Sequence, residues 1–146
     1  MIDCILIEVD HADTLGGSCV GDIYGTLKVL SKMKNIGTIN VLTTHNLCKS
    51  DKDKIPIKNV KYELIDKLLY QMRNIIMKVD SKDDLFILIS GHGYQTKDLS
   101  GDEEDGYDEY IRTKTEMIID DDLKLVAYSG KAKTVRVICD TCHSGS

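Results

Sequence analysis

Two side chains in this sequence have the type and setting for nucleophilic catalysis. An apolar run, Leu85 to Ser90, leads directly into Gly91-His92-Gly93, and a second, Thr134 to Cys139, leads into Asp140-Thr141-Cys142-His143. A thiol attacks a carbonyl as the thiolate, and a nearby base or cation is what generates it. Glycines on either side of His92 let the backbone turn sharply, so the imidazole can stand out from a strand end. If the two runs are neighbouring strands, His92 and Cys142 face each other across one edge of a sheet, as base and nucleophile. Taken singly, His92 also reads as a loop histidine and Cys142 as a buried thiol. His143 is no substitute for His92, because neighbours on an extended segment point to opposite faces. Cys139-x-x-Cys142 has redox-motif spacing, but such motifs open a helix after the first strand, and Cys139 belongs to the last one.

The elements that must position this pair alternate between strand and helix. Ile2 to Val9 is an apolar run closed by Asp10, and reads as a buried strand. Asp22 to Met33 places Ile23, Leu27 and Leu30 at helical spacing; Gly37-Thr38 breaks it, and Ile39 to Leu42 is the next strand. The lysine-rich stretch Cys48 to Lys58, with Pro56, is a loop. Asn59 to Val79 reads as the longest helix, with Val60, Leu64, Leu68, Met72 and Ile75 on one face. Asp84 to Ser90 is apolar without alternation, the mark of a strand buried on both sides. After it come a polar acidic loop, an extended Glu116 to Ile119, a short helix near Asp120 to Tyr128, and the final strand. Strands separated by helices predict a single α/β domain over residues 1–146, with a mostly parallel sheet and helices on both faces. In such sheets chemistry gathers at the carboxyl ends of the strands, where His92 and Cys142 sit.

Composition narrows the function classes. A hydrophobic share of 42% supplies a core, which a disordered chain lacks. No apolar stretch approaches the roughly 20 residues that span a bilayer, and the first residues lack a signal peptide's basic start. A cytoplasmic protein without membrane contact is expected. Five cysteines, an odd number, are expected to remain thiols there. A net charge of −5 argues against a nucleic-acid partner, which would require a basic stripe. Much of the acidity lies between Asp98 and Asp122, suggesting a cation site or a pocket for basic substrates.

Five segments, in order along the chain, resemble motifs of the metacaspases. Leu15 to Leu30 (LGGSCVGDIYGTLKVL) resembles their Cys-x-x-Asp helix entry. Ser90 to Gln95 (SGHGYQ) resembles the catalytic-histidine motif, Gly101 to Ile111 (GDEEDGYDEYI) the acidic loop, and Ile118 to Leu123 (IIDDDL) the second acidic motif. Asp140 to Ser146 (DTCHSGS) resembles the nucleophile motif. The gap between His92 and Cys142 also matches the caspase His-to-Cys spacing of about 50 residues.

The resemblance implies a caspase-like α/β sandwich and a cysteine endopeptidase with His92 as base and Cys142 as nucleophile. The backbone N–H groups of Gly93 and Cys142 would meet the oxyanion. It implies cleavage of proteins or peptides after Arg or Lys, with Cys19, Asp22, Ser90 and Asp140 forming the specificity pocket. Asp22 and Asp140 would supply its charge. Asp22 also reads as a carboxylate at a helix start, and Asp140 as a solvated strand end. An activating calcium ion is implied at Asp108, Asp120 and Asp121, with Asp105 and Glu109 as further candidates. The acidic loop is not an EF-hand: with Gly106 at the sixth position, Gly101 would be first and Arg112 last, where Asp and Glu belong.

The sequence ends at Ser146, before the small-subunit strands that follow the cysteine strand in the caspase fold. A fragment of a longer precursor, a chain completed by a separate small-subunit chain, and a compact large-subunit core are all compatible with this. The last two would leave an exposed sheet edge open to pairing between chains. The rival to the peptidase is a caspase-like protein that binds partners or calcium without cutting.

Overall fold

The computed structural model describes residues 1–9, 18–44, 59–91, 93–97 and 107–141. In chain order these form β1 (Ile2–Val9), α1 (Ser18–Leu30), β2 (Ile36–Thr43), β3 (Val60–Leu64), α2 (Leu68–Ile76) and β4 (Asp84–Gly91). There follow β5 (Gly93–Lys97), β6 (Tyr107–Arg112), β7 (Met117–Ile119), α3 (Asp120–Ala127) and β8 (Thr134–Thr141). Five strands make one parallel sheet in the order β3-β2-β1-β4-β8, and β5-β6-β7 form a small antiparallel sheet.

The pleat of the large sheet sorts its apolar residues into two cores. On one face Cys4 and Leu6 of β1, Ile39 and Val41 of β2, and Leu88 of β4 bury against Ile23, Leu27 and Leu30 of α1. On the other, Ile5, Ile7 and Val9 of β1 and Leu85, Ile87 and Ile89 of β4 meet Leu68, Met72 and Ile76 of α2. Leu123 and Ala127 of α3 join this second core, as do Ile111 of β6 and Ile118 of β7, which bring the small sheet onto the same side. The unbroken apolar runs of β1 and β4 thus serve both faces, as central parallel strands require. The expected mostly parallel sheet with helices on both faces is present.

Three expectations need correction. Residues 59–79 are not one helix: Asn59 adopts φ 65°, Val60–Leu64 forms edge strand β3, and only Leu68–Ile76 is helical. The alternation of VKYEL is the reason, because Val60 and Tyr62 pack on the α1 side while Lys61 and Glu63 do not join that core. Helix α1 begins at Ser18, one turn before Asp22. The acidic segment is flanked by strands: β5 pairs with β6 from Gly93↔Ile111 to Lys97↔Tyr107, and Tyr94 stacks on Tyr110 with ring centroids 5.3 Å apart. Residues 98–106 lie outside the described residues.

Among the described residues, helix α1 packs on β1 and β4 and no element packs extensively on the same side of β8. The result is an apolar trough between α1 and β8. Its amino-terminal part, about 540 Å³, is lined by residues including Val29, Met33, Phe86 and Arg136. Its carboxyl-terminal part, about 580 Å³, is lined by Asp22, Val29, Leu88, Ile138 and Asp140 among others. Ile138 is 51% exposed and Val29 61%.

Candidate active site

Strands β4 and β8 are hydrogen-bonded neighbours in parallel register, Ile89↔Cys139, Ser90↔Asp140 and Gly91↔Thr141. Parallel pairing brings both carboxyl ends to one edge of the sheet, where the right-hand neighbour of each last pair member in the sequence is His92 or Cys142. Those two residues lie outside the described residues. Gly91 ends β4, immediately before His92 in the sequence. A β-carbon on Gly91 would collide with the Val9 side chain and lie 3.0 Å from the Val9 carbonyl carbon, so only glycine lets β4 approach β1 there. Gly93, expected at the oxyanion, opens β5 opposite Ile111.

The four residues expected in the specificity pocket all belong to described elements. Cys19 and Asp22 stand three apart on α1, hence on one helix face; Cys19 is buried and Asp22 is exposed. Ser90 is buried at the end of β4, and its Oγ donates to Asp22 Oδ2 at 2.7 Å. Asp140 is Ser90's register partner on β8 and lines the same end of the trough as Asp22. The neighbouring Asp22 carboxyl, through hydrogen bonding and then its charge, with a smaller contribution from desolvation, pushes Asp140 above the usual carboxylate range. Asp22, Ser90 and Asp140 therefore form one connected polar group at the carboxyl end of the trough. This grouping could accept a cation: among the described residues that line that end of the trough there is no Lys or Arg.

Sequence reasoning passed over Glu8, the β1 residue registered with Ser90 on one side and Thr43 on the other. It is fully buried. Its Oε2 accepts from Thr43 Oγ1 at 2.8 Å and from Thr44 N at 2.9 Å, and Thr44 Oγ1 donates to Oε1 at 3.0 Å. A carboxylate following the apolar run Cys4 to Ile7 and preceding Val9 within one strand was the available signal.

The residues expected to hold calcium are brought toward one end of the small sheet. The β6–β7 pairing ends at Tyr110↔Ile119, so the next residues outward are Glu109 and Asp120. Asp120, Asp121 and Asp122 form the first turn of α3, where carboxylates also suit the helix dipole. Asp120 Oδ2 lies 3.8 Å from Lys124 Nζ, an ordinary i,i+4 pair. Asp108 is in β6, opposite Thr96, and its side chain, like all of Asp105, is outside the described residues. The donor chemistry fits a hard cation, since every candidate is a carboxylate. Among the described residues no three such side chains gather into a metal-binding group.

Cys4 is not built for nucleophilic work. Burial, then the nearby Asp3 charge, pushes the Cys4 thiol up to about 11. Burial likewise raises Cys139, against the opposing charge of Lys124. Among the described residues no helix is long and apolar enough to cross a membrane.

Comparison with known proteins agrees with this arrangement. Metacaspase-1 of Botryotinia fuckeliana is 41% identical over 85 residues, covering 54% of this chain and 20% of the relative. Metacaspase-1B of Aspergillus oryzae is 42% identical over 86 residues, covering 54% and 20%. The match thus spans about a fifth of the length of these curated relatives. A crystal structure of a Geobacter sulfurreducens protein superposes with a TM-score of 0.60 at 22% identity, covering 99% of this chain and 51% of that one, which supports the fold. The family model described as "Metacaspase, peptidase C14 domain" matches residues 4–146, nearly the whole sequence, and the chain belongs to that family.

Proposed function

We propose that this chain carries the catalytic portion of a cysteine endopeptidase that cleaves proteins or peptides after Arg or Lys, with a His92/Cys142 dyad. The observation that supports it most is the β4–β8 register, because Gly91 and Thr141 are partners and each immediately precedes one member of the dyad. In the mechanism His92 takes the Cys142 thiol proton, the thiolate attacks the scissile carbonyl, and His92 returns the proton to the leaving amine. Backbone N–H groups of Gly93 and Cys142 would receive the oxyanion. A basic side chain of the substrate would enter the Cys19, Asp22, Ser90 and Asp140 pocket, where fixed carboxylates compensate its lost hydration.

Asp108, Asp120 and Asp121 would hold an activating calcium ion, which would supply positive charge to offset their mutual repulsion. Hydrolysis of a fluorogenic Arg-terminated peptide tests the whole reading. Calcium-stimulated turnover that disappears in Cys142→Ala, with an Asp-terminated peptide left intact, is the expected result. Absence of turnover in every condition would overturn it. A second reading, a caspase-like protein that works only with a completing small-subunit segment or a second copy, is favoured by one observation: the trough beside β8, open among the described residues.

A further inference from the structure

One polar row crosses the large sheet at the carboxyl ends of its strands. Thr43 of β2 is in register with Glu8 of β1, Glu8 with Ser90 of β4, and Ser90 with Asp140 of β8. Side chains alternate along a strand, and Val41, Leu6 and Leu88 pack on the α1 face. Thr43, Glu8 and Ser90, each two residues further on, share that face, and there Ser90 meets Asp22 of α1.

The Ser90 hydroxyl has one proton to donate and a carboxylate on either hand: Glu8 on the adjacent strand and Asp22 on the helix. Adjacent strands lie about 4.8 Å apart, so a Glu8 carboxylate directed at β4 would compete for that proton. Asp22 Oδ2 receives it, at 2.7 Å. Burial alone would favour the other acceptor. Glu8 is fully buried and gains most from each donor, whereas the exposed Asp22 can take hydrogen bonds from water. What reverses the preference is β2. Thr43 Oγ1 and the Thr44 N–H donate to Glu8 Oε2 at 2.8 and 2.9 Å, and Thr44 Oγ1 lies 3.0 Å from Oε1 and 2.9 Å from Oε2. Because β1 lies between β2 and β4, all three donors hold the Glu8 carboxylate away from Ser90.

We propose that Thr43 and Thr44 are positioning residues of the specificity pocket: by engaging Glu8 they reserve the Ser90 hydroxyl for Asp22, which fixes the Asp22 carboxylate for a basic side chain. The role in recognition rests on the pocket reading above; the hold on Ser90 does not. Neither threonine is among the residues lining the trough, so both act on a ligand only through Glu8, Ser90 and Asp22.

The test uses the full chain carrying Cys142→Ala, as the parent and with Thr44→Val, Thr43→Val/Thr44→Val, and each of these combined with Glu8→Leu. Crystal structures read the partner of Ser90. In Thr43→Val/Thr44→Val its Oγ is expected to leave Asp22 and bond Glu8; a hydroxyl still on Asp22 overturns the proposal. Agmatine, a guanidinium probe, is titrated calorimetrically. Its affinity is expected to fall about tenfold in the double variant, the size of one lost charge-assisted hydrogen bond, and by less in Thr44→Val. Adding Glu8→Leu removes the competing acceptor and is expected to restore affinity to within about twofold of the parent. A merely structural role for the threonines predicts a further loss there instead, and that result overturns the proposal. Thr44→Val, which keeps the bonds from Thr43 Oγ1 and the Thr44 N–H, carries both measurements where the double variant does not fold. An affinity unchanged after Ser90 has moved overturns the link to recognition. A parent that does not bind agmatine overturns the pocket reading itself, while movement of Ser90 to Glu8 in the variant still establishes the hold on that hydroxyl.

Discussion

Glu8 shows how much one buried side chain can hold in place. Its carboxylate satisfies Thr43 Oγ1, Thr44 Oγ1 and the Thr44 N–H, tying the carboxyl end of β2 to β1 beside the candidate pocket. Glu8→Ala would leave these donors buried without an acceptor and is expected to cost roughly 3 kcal/mol, read as a lower urea midpoint. Glu8→Gln, which keeps one acceptor oxygen, should lose less; equal losses in the two variants would mean that charge, not acceptance, matters at this position. Thiol reactivity offers a second check. With Cys4 buried and its thiol near 11, almost none of it is thiolate at pH 7.5, and peptide mapping after brief iodoacetamide treatment should find it unmodified until the chain is unfolded. The candidate pocket residues could be proposed because their types and order match a family pattern, and Ser90 and Asp140 also end apolar runs. Glu8 was not, because a carboxylate near a strand end is ordinarily a surface residue; only the threonines at the end of β2 reveal its partners, and they are 35 or more residues away.

Among the elements, the central strands could be read and the peripheral ones could not. Runs such as ILIEV and LFILIS have no helical period, so β1 and β4 were unambiguous. β3 was lost because positions 60 and 64 share a face under both a two-residue and a near-four-residue period, which joins VKYEL to the true helix at Leu68. Only the exposed Leu64 betrays the difference, since a helix of that phase would have buried it. Strands β5 and β6 were hidden by the acidic sequence between them, which dominates any local reading. Two glycine substitutions test how the elements are fitted. Gly91→Ala pushes a methyl group against Val9 backbone atoms at 3.0 and 3.1 Å, so the β1–β4 pairing must open at the end that precedes His92. A stability loss of about 1–3 kcal/mol is expected, with a larger proportional fall in peptidase turnover. Gly25→Ala meets nothing within 4 Å on α1 and should instead stabilise the helix by about 0.5–1 kcal/mol. Paired urea titrations of the two variants check the contrast; a destabilised Gly25→Ala would show that this face of α1 is not open.

At the scale of the molecule, the two faces of the sheet are unequally covered. The α2 and α3 side also carries the small sheet, whereas on the other side, among the described residues, α1 stops at β4 and no element packs extensively on β8. Part of this asymmetry was present in the sequence: α1 has Val29 beside the buried Leu27 and Leu30, more apolar surface than a single packing stripe uses. Its meaning emerges only when Val29, Met33 and Phe86 are seen to face β8 across a continuous trough. A surface of that kind sequesters apolar area when something packs on it, and otherwise exposes it to any apolar solute. The chain by itself is therefore expected to enhance the fluorescence of a hydrophobic dye while retaining a cooperative thermal transition, unlike a molten globule. Ile138→Glu, half exposed at the trough floor, should remove most of that enhancement with little change in Tm, because few core contacts are lost. An unchanged dye signal in the variant would place the apolar surface elsewhere. If a completing segment or a second copy restores turnover, the same substitution should abolish the rescue while leaving binding of a guanidinium compound at Asp22 and Asp140 in place, separating what covers the trough from what fills the pocket.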